Sequence, residues 1–529
     1  MWLFKRILFD IQKFFQRSCF LVKRVFLSLT KKEKRILILL CILFIAALWG
    51  RIYQLLITNK PTGPTEGGVY KEVSFGEIDS FNPFFADSRI EKDVAGIIFL
   101  NLVDYDDKGE IKGVLIDKFV FSKNKAELKF KDNLYWHDGV PLSTDDFIFT
   151  IKIFKEVKSL SLWGNIWKDV KIEKLSDKKI KLEFNENSLS PKNLCFPILP
   201  SHLLKDKDIN KIQGFSFNLN PIGNGPFKFK KIRYLVSGEK VVVLERFTKF
   251  PKTPRLSSIE ITAEVDQDRA LWKYKNYPFS GVSQVPLEKV EEISNAKNEL
   301  HRIYFPQYTA LFYNLKRKKF EDLEVRKALD MAIDRKNIYK TFSLAKPTSL
   351  PLPGGAKKEE VYYNPKQSKK ILSSKNLELE LSFVNKNIYE LTAKEVAKNW
   401  GEVGVKVKLA PLDEASLSQK IFSKDFDVVL WSETIGGEWV LDRWTSSSQL
   451  NFSGFSFEDI DEKILEAHTK EEKIKVAEAI KEKYPASFLF SIPYVWSTRN
   501  IEGLPLNMMG EDPTNRFGNI EDWYLSSLK

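Results

Sequence analysis

Apolar and polar residues are distributed in three ways along the 529-residue chain. The stretch 36–57 is apolar almost throughout and carries one charged residue, Arg51. Segment 126–132 alternates apolar and polar residues, which predicts a half-buried strand. Segment 325–333 places apolar residues at helical spacing, which predicts an amphipathic helix. The part of the chain after residue 68 is therefore predicted to be mixed α and β.

The apolar stretch 36–57 is long enough to cross a membrane. Its 22 residues make a helix about 33 Å long, which matches the thickness of the hydrocarbon layer. Four basic residues, between positions 31 and 35, stand directly before it, and this bias predicts a cytoplasmic N-terminus and an outer C-terminal bulk. We predict a single-pass protein of the cell membrane, with residues 1–35 as a basic amphipathic segment on the cytoplasmic side.

A cleaved signal peptide, a lipoprotein signal and a buried core helix are alternative interpretations of this stretch. Cys41 follows Leu39 and Leu40 rather than small residues, which argues against lipid attachment. The apolar run exceeds the usual hydrophobic region of a signal peptide, and the one-sided basic flank disfavours a core helix. We expect an uncleaved anchor. Residues 58–67, rich in Pro, Gly and Thr, are predicted to be a linker.

The net charge of +13 arises mainly from the N-terminal region. Residues 1–60 contain 12 basic and two acidic side chains, whereas the rest of the chain contains 71 basic and 68 acidic ones. The outer part is therefore nearly balanced and lacks the positive charge that a nucleic-acid backbone attracts. We predict no nucleic-acid partner.

Motifs of enzyme chemistry are absent from the sequence. Gly223 and Gly225 lack the third glycine of a dinucleotide-binding fingerprint, and neither a P-loop nor a GxSxG motif occurs. The histidines form no HExxH motif, and no CxxC motif accompanies them. They lie far apart, at His137, His202, His301 and His468. We predict that the chain is not an enzyme and requires neither a cofactor nor a metal ion.

Several motifs of the outer part occur in an order that resembles one known family. Residues 134–154 read LYWHDGVPLSTDDFIFTIKIF, residues 220–229 read NPIGNGPFKF, and residues 312–338 read FYNLKRKKFEDLEVRKALDMAIDRKNI. In this order they resemble the peptide- and nickel-type extracellular solute-binding proteins, family 5, of ABC importers. The resemblance covers nearly the whole outer part of the chain.

This resemblance implies an α/β fold of the type II periplasmic-binding-protein class. Such a fold has two lobes joined by crossing strands, an extra subdomain in the first lobe, and a solute enclosed between the lobes. By resemblance, lobe I with its subdomain takes residues 68–250, lobe II takes residues 251–469, and residues 470–529 return to lobe I.

The segment 430–444, LWSETIGGEWVLDRW, is the candidate ligand wall. Peptide-binding members of the family carry an acidic residue here that pairs with the amino terminus of the peptide, and Glu433 stands near that position, although the Asp-Pro that follows in those relatives is absent. The segment is also rich in aromatic and charged side chains. A surface loop with packed indoles is the alternative interpretation. The predicted ligand-binding residues are Tyr308, Trp431, Glu433, Glu438, Trp439, Asp442, Arg443 and Trp444.

The expected function is that of a membrane-anchored, extracytoplasmic solute-binding protein. It would capture a peptide or a similar small solute between its lobes and deliver it to the membrane permease of an ABC importer, with a monomeric outer body. The alternative is a membrane-tethered sensor or partner-binding module of the same fold without a transport role.

Overall fold

The computed structural model divides the chain into two compact units, residues 1–64 with Lys529 and residues 65–528. Helix α1, Lys31–Thr58, is the described element of the first unit, and all other described elements belong to the second. The structure describes residues 28–58, 66–106, 111–185, 188–294, 298–305, 307–342, 344–352, 363–434, 441–448, 450–467, 469–504, 507–510 and 512–526.

Helix α1 contains the whole predicted apolar helix 36–57. In residues 36–49 of this helix, each large apolar residue exposes between 39% and 69% of its surface. Among the described residues, no helix combines the length and the apolarity needed to cross a membrane. Residues 1–27 of the predicted cytoplasmic segment and residues 59–65 of the predicted linker lie outside the described residues. The exposed apolar side chains are Ile36, Leu37, Ile38, Leu39, Leu40, Ile42, Leu43, Phe44, Ile45, Leu48 and Trp49.

The strands of the second unit run from Val69 to Leu525. The first are β1 (Val69–Phe75), β2 (Val103–Tyr105), β3 (Ile111–Gly113), β4 (Ile116–Phe121), β5 (Lys125–Phe130), β6 (Lys171–Ser176), β7 (Lys179–Glu183), β8 (Phe227–Tyr234), β9 (Lys240–Arg246), β10 (Ser258–Glu264) and β11 (Gly281–Val282). The others are β12 (Glu299–Tyr304), β13 (Gln307–Tyr313), β14 (Lys346–Pro347), β15 (Glu378–Val384), β16 (Lys406–Leu412), β17 (Val428–Thr434), β18 (Ala486–Ser491), β19 (Pro493–Thr498), β20 (Ile501–Glu502), β21 (Asn507–Met509) and β22 (Tyr524–Leu525).

Helices cover the faces of the sheets that these strands form. They are α2 (Arg89–Ile98), α3 (Thr144–Glu156), α4 (Ser161–Trp167), α5 (Ser201–Leu204), α6 (Gln267–Asn276), α7 (Val290–Ile293), α8 (Leu323–Met331), α9 (Arg335–Thr341), α10 (Pro365–Leu372), α11 (Asn387–Glu402), α12 (Glu414–Phe422), α13 (Glu458–Glu466) and α14 (Lys470–Glu482). Short 3-10 helices include Leu287–Lys289, Asp442–Trp444 and Pro513–Phe517.

Two large sheets define two lobes. The sheet of lobe I has the strand order β21, β12, β19, β11, β1, β10, β9, β8, and the sheet of lobe II has the order β14, β18, β13, β17, β15, β16. The chain passes from lobe I to lobe II between β12 and β13 and returns between β18 and β19. The predicted two-lobed α/β fold with crossing strands is therefore confirmed.

The lobe boundaries differ from those expected. Strand β10 pairs in parallel with β1, and β12 pairs with β19, so lobe I continues past the expected boundary at residue 250 as far as Tyr304. Lobe II extends past residue 469 to Ser491 because β18 pairs with β13. These long-range pairings depend on the fold and leave no local mark in the sequence. The separate sheet β4, β5, β7, β6 forms the extra subdomain.

The central strand β13 shows why lobe II is a three-layer structure. Leu311 and Tyr313 belong to a core on one face of the sheet, whereas Tyr308, Ala310 and Phe312 belong to a second core on the other face. Helices cover both faces of such a sheet, and a strand buried on both faces reads as a continuous apolar run rather than as an alternating one.

Two helices of the second unit start with reciprocal capping hydrogen bonds. Ser143 accepts a hydrogen bond from the N–H of Asp145 at the start of α3, and the Asp146 carboxylate accepts one from the N–H of Ser143. Thr469 and Glu472 form the same reciprocal arrangement at the start of α14. Each arrangement satisfies backbone N–H groups that have no partner within the helix.

A buried ionic cluster ties the C-terminal segment to lobe I. The Arg516 guanidinium lies 2.7 Å from a Glu72 oxygen of β1 and 2.8 Å from an Asp93 oxygen of α2, and all three side chains are fully buried. Arg89 pairs with Asp93 at 2.7 Å. Burial alone would lower the pKa of Arg516, but the charges of Asp93 and Glu72 raise it. The return of the terminal segment to lobe I, expected from the sequence, is fixed by these charges.

The motifs around His137 and Gly223 contact each other. The imidazole Nδ1 accepts a hydrogen bond from the Gly223 N–H, and Nε2 lies 3.0 Å from the Gly225 carbonyl oxygen. A Cβ atom on either glycine would lie 2.2 Å from a carbonyl oxygen of α2, so only glycine fits there. Burial lowers the pKa of His137 to about 4. His137 is therefore a neutral structural side chain.

We expect His137 to make folding sensitive to mild acid. Its pKa is about 4 in the folded protein against about 6.5 when unfolded, so its contribution to stability is complete above pH 6.5 and decreases as the pH falls toward 4. Between pH 7.5 and pH 5 the loss should be about 2 kcal/mol. Urea unfolding at both pH values measures it, with His137→Gln as the control that lacks the titrating group. An NMR titration midpoint near 6.5 for His137 would contradict this prediction.

Candidate functional site

Five of the predicted ligand-binding residues converge in lobe II. Tyr308 on β13 lies opposite Glu433 on β17, and Trp431 lies opposite Ala310 in the same strand pair. Arg443 and Trp444 follow in the 3-10 helix Asp442–Trp444. This helix also contains the predicted residue Asp442. The predicted residues Glu438 and Trp439 lie outside the described residues.

Glu433 is paired with a residue of its own chain. Its Oε1 accepts a short hydrogen bond from Nη2 of Arg443, and the two side chains are only 13% and 16% exposed. Arg443 also donates from Nη1 to the Leu450 carbonyl at 2.8 Å and lies over the Phe452 ring at 4.8 Å. Burial raises the pKa of Glu433, and the charge of Arg443 opposes this rise. The charge of the Glu433 carboxylate is therefore compensated by Arg443 in the absence of a solute.

Tyr308 and Trp444 lie in the aromatic core of lobe II and are each 1% exposed. The Trp444 ring stacks on Phe312 with 6.0 Å between ring centroids and meets the edge of Phe455 at 5.4 Å. Burial and the nearby Glu433 charge raise the pKa of Tyr308 well above its usual value. In this conformation both side chains are packed inside lobe II. Their contact with a ligand stays a prediction.

The lobes also touch beyond the crossing strands. The Asn387 side-chain amide, at the start of α11 in lobe II, donates to Glu288 in the 3-10 helix Leu287–Lys289 of lobe I at 2.8 Å. Leu344 of lobe II packs against the apolar cluster of lobe I that contains Val495. These two contacts were not predicted from the sequence, because each joins residues that are far apart in the chain and belong to no recognisable motif.

A surface depression of about 420 Å³ lies elsewhere, on β8, β9 and β10. These strands are at the edge of lobe I that is farthest from the crossing strands. Its charges pair with one another, Lys230 with Glu245 at 2.9 Å and Arg233 with Glu260 at 3.1 Å. We therefore place the candidate site at the junction of the lobes. Within the described part of the chain, no group of three or more His, Cys, Asp or Glu residues could hold a metal ion.

Comparisons with known proteins agree with this architecture. The chain is 23% identical to the oligopeptide-binding protein AppA of Bacillus subtilis over 94% of this chain and 100% of that protein. It is 23% identical to the nickel-binding protein NikA of Staphylococcus aureus over 51% of this chain and 53% of that protein. Among solved structures, the ABC transporter substrate-binding protein CtaP of Listeria monocytogenes superposes with a TM-score of 0.75 at 21% identity, covering 88% of this chain and all of CtaP.

The two lobes, their two crossings and the junction between them have the architecture of these solved binding proteins. The model of the bacterial extracellular solute-binding proteins, family 5, matches residues 110–455, and the chain belongs to this family. The predicted resemblance is thus confirmed. Members of this class bind solutes and do not transform them, which also confirms the prediction that the chain is not an enzyme.

We predict that Glu433→Gln destabilises the protein by about 3 kcal/mol, because it leaves the Arg443 guanidinium in a largely buried site without its counter-charge. The double variant Glu433→Gln, Arg443→Gln should recover part of this loss. Urea unfolding of the wild type, the single variants Glu433→Gln and Arg443→Gln, and the double variant gives the coupling energy directly.

The control is Glu378→Gln, which removes an exposed carboxylate whose partner Lys406 is also exposed. Its effect on the free energy of unfolding should stay below about 1 kcal/mol. Equal losses for Glu433→Gln and Glu378→Gln would contradict the buried pairing.

Proposed function

We propose that this chain is a membrane-tethered receptor that captures a peptide between its lobes and delivers it to the permease of an ABC importer. This proposal rests on the structure of the junction between the two lobes. Two lobes with separate cores are joined by only two crossings, and Asn387 and Glu288 meet across them. Hinged lobes of this kind enclose a ligand and exclude water from its polar contacts.

The choice of a peptide draws on the relatives. AppA of Bacillus subtilis is an oligopeptide-binding protein, and its structure in complex with a nonapeptide superposes on this chain with a TM-score of 0.68 at 21% identity, covering 88% of this chain and all of AppA. NikA shows that nickel-binding proteins are also among the relatives. Peptide binding is favoured because the match to AppA extends over nearly the whole of both chains.

The proposed tether is helix α1. The large apolar side chains from Ile36 to Trp49 are exposed, and exposed apolar surface of this extent favours a lipid or protein environment over water. The basic residues that precede it favour a cytoplasmic N-terminus. In this arrangement the second unit lies outside the membrane, where it meets solutes before the permease does.

We expect a random peptide pool to raise the melting temperature of the full chain purified in detergent. A ligand that binds only the folded state stabilises it by about 2.7 kcal/mol at one hundred times its Kd. Native mass spectrometry of the same samples should show bound peptide mass. A mixture of free amino acids of the same composition serves as the ligand control.

Matched variants test whether binding involves the junction. Asn387→Ala removes the contact to Glu288 and should weaken peptide binding several-fold, whereas Asn210→Ala removes an exposed side-chain amide that bonds to the nearby Asp208 and should leave binding unchanged. If neither peptides nor amino acids stabilise the wild type, the sensor or partner-binding alternative replaces transport.

We expect the double variant Leu40→Arg, Phe44→Arg to release the protein from membranes that retain the wild type after a carbonate wash. A charged side chain at the centre of a membrane helix costs about 3 kcal/mol, and two should prevent stable insertion. Val236→Arg, Val265→Arg adds the same charge at exposed positions of the second unit and is the control. Retention of the α1 variant in the washed membranes would reject the proposed tether.

A further inference from the structure

The hairpin formed by β8 and β9 ends in an exposed apolar tip. Among the described residues of the second unit, Tyr234, Leu235 and Val236 form the longest run of exposed large apolar residues, and Val236 is completely exposed. The turn is closed by hydrogen bonds from the Leu235 N–H to the Glu239 carbonyl and from the Gly238 N–H to the Leu235 carbonyl. Gly238 supplies the left-handed backbone conformation, with a φ of +95°. Residues of such turns are usually small or polar, so the turn geometry does not explain the apolar tip.

The tip is held in place against α6. The Glu239 carboxylate, at the base of the turn, accepts a hydrogen bond from the Lys273 ammonium of α6 at 2.5 Å. The same ammonium lies 2.5 Å from Glu264, the last residue of β10. The next residue, Val265, is also exposed and lies at the same end of the sheet. Because β8, β9 and β10 are paired up to this end, the tip is a preformed protrusion of lobe I.

Strand β8, which leads to the tip, carries four cations and no acidic residue. Two carboxylates of the neighbouring strands pair with three of these cations. Glu245 of β9 lies 2.9 Å from Lys230, and Glu260 of β10 lies 3.1 Å from Arg233. Four cations against two carboxylates leave a surplus of two positive charges beside the tip. The four cations are Lys228, Lys230, Lys231 and Arg233.

Edge-strand lysines have a second role that must be separated from this one. Strand β8 is an edge of the sheet of lobe I, and lysines on an edge strand hinder its pairing with another chain. That role does not require an apolar tip, because residues 233–238 are all exposed and a polar turn would serve equally well. An apolar protrusion beside a cluster of cations matches an anionic lipid surface. The apolar side chains enter the headgroup region, and the cations attract the lipid phosphates.

We propose that the hairpin of β8 and β9 docks on an anionic lipid surface. The tip enters the headgroup region, and the cations of β8 contact the lipid phosphates. This inference rests on the proposed tether, through which α1 keeps the second unit at the membrane. Seven residues separate Thr58, the end of α1, from Glu66, and seven residues span at most about 25 Å. Docking would turn the β8 edge of lobe I towards the membrane and so limit the orientations of the tethered lobes.

Hydrogen exchange of the full chain in nanodiscs tests this docking. One preparation contains phosphatidylcholine alone, and the other contains an equimolar mixture with phosphatidylglycerol. Mass spectrometry follows exchange in the peptides that cover residues 233–240. We expect exchange there to be several-fold slower in the anionic nanodiscs, because the exposed backbone around Val236 leaves water. The difference should shrink at high salt concentration, because salt screens the attraction to the lipid phosphates.

Two variants separate the apolar part of the hairpin from the charged part. Leu235→Ser, Val236→Ser should exchange at the same rate in both kinds of nanodisc, because its tip no longer enters the headgroup region. Lys230→Gln, Lys231→Gln, Arg233→Gln should lose the difference between the two lipid compositions. Each cation near an anionic surface strengthens binding by about fivefold, so the loss of three is a large effect.

Matched control variants make the same kinds of change elsewhere in the second unit. Val120→Ser, Leu175→Ser replaces two exposed apolar residues of the subdomain sheet. Arg317→Gln, Lys375→Gln, Lys406→Gln removes three exposed cations of lobe II. Both control variants should keep the slower exchange of residues 233–240 in the anionic nanodiscs.

The outcomes separate this inference from the proposed function. If residues 233–240 exchange equally fast in both kinds of nanodisc, docking on anionic lipid is wrong. If their exchange slows in detergent without lipid as the protein is concentrated, the partner is a second copy of the chain and lipid docking is also wrong. Solute capture is measured separately with the peptide pool and stands after either result. If the wild type does not remain in the nanodiscs, the tether is wrong, and the docking that rests on it is wrong with it.

Discussion

The two crossings between the lobes are the constraint on which the rest of the structure depends. The chain leaves lobe I after Tyr304 and returns at Pro493, and these two residues are partners in the sheet of lobe I. The Gln307 side-chain amide donates to the Ile492 carbonyl at 2.9 Å, which holds the crossings side by side. Because only these short connections join the lobes, each lobe must build its own core. In the proposed function, the solute would be held between the two lobes that these connections join.

Buried ion pairs lie within each of the two lobes. Arg516 with Glu72 and Asp93, and Arg443 with Glu433, are satisfied within the protein and fix the return of the C-terminal segment and the wall of lobe II. Such pairs are costly to break, although they add little net stability when intact. They give each lobe a fixed shape at positions where apolar side chains alone would allow alternatives. The relative position of the lobes then depends on a few contacts, such as that between Asn387 and Glu288.

The sequence predicted the features that depend on nearby residues. The amphipathic helix predicted for segment 325–333 overlaps helix α8, and the order of the family motifs implied the two lobes and the subdomain. The predicted lobe boundaries differ from those of the structure, because the pairing of β10 with β1 joins segments far apart in the chain. The pairing of Glu433 with Arg443 was also missed. Both residues were identified as candidates, but only the folded loop brings them together.

That pairing changes how the candidate site is understood. From the sequence, Glu433 is an anchor for a positively charged group, and Arg443 is a separate contact. In the structure the two charges compensate each other, so their shared effect is to shape this part of lobe II. A charged residue within a motif is therefore weak evidence for ligand chemistry until its partners in the folded chain are known, because a carboxylate that is already paired with a guanidinium offers little to a second cation.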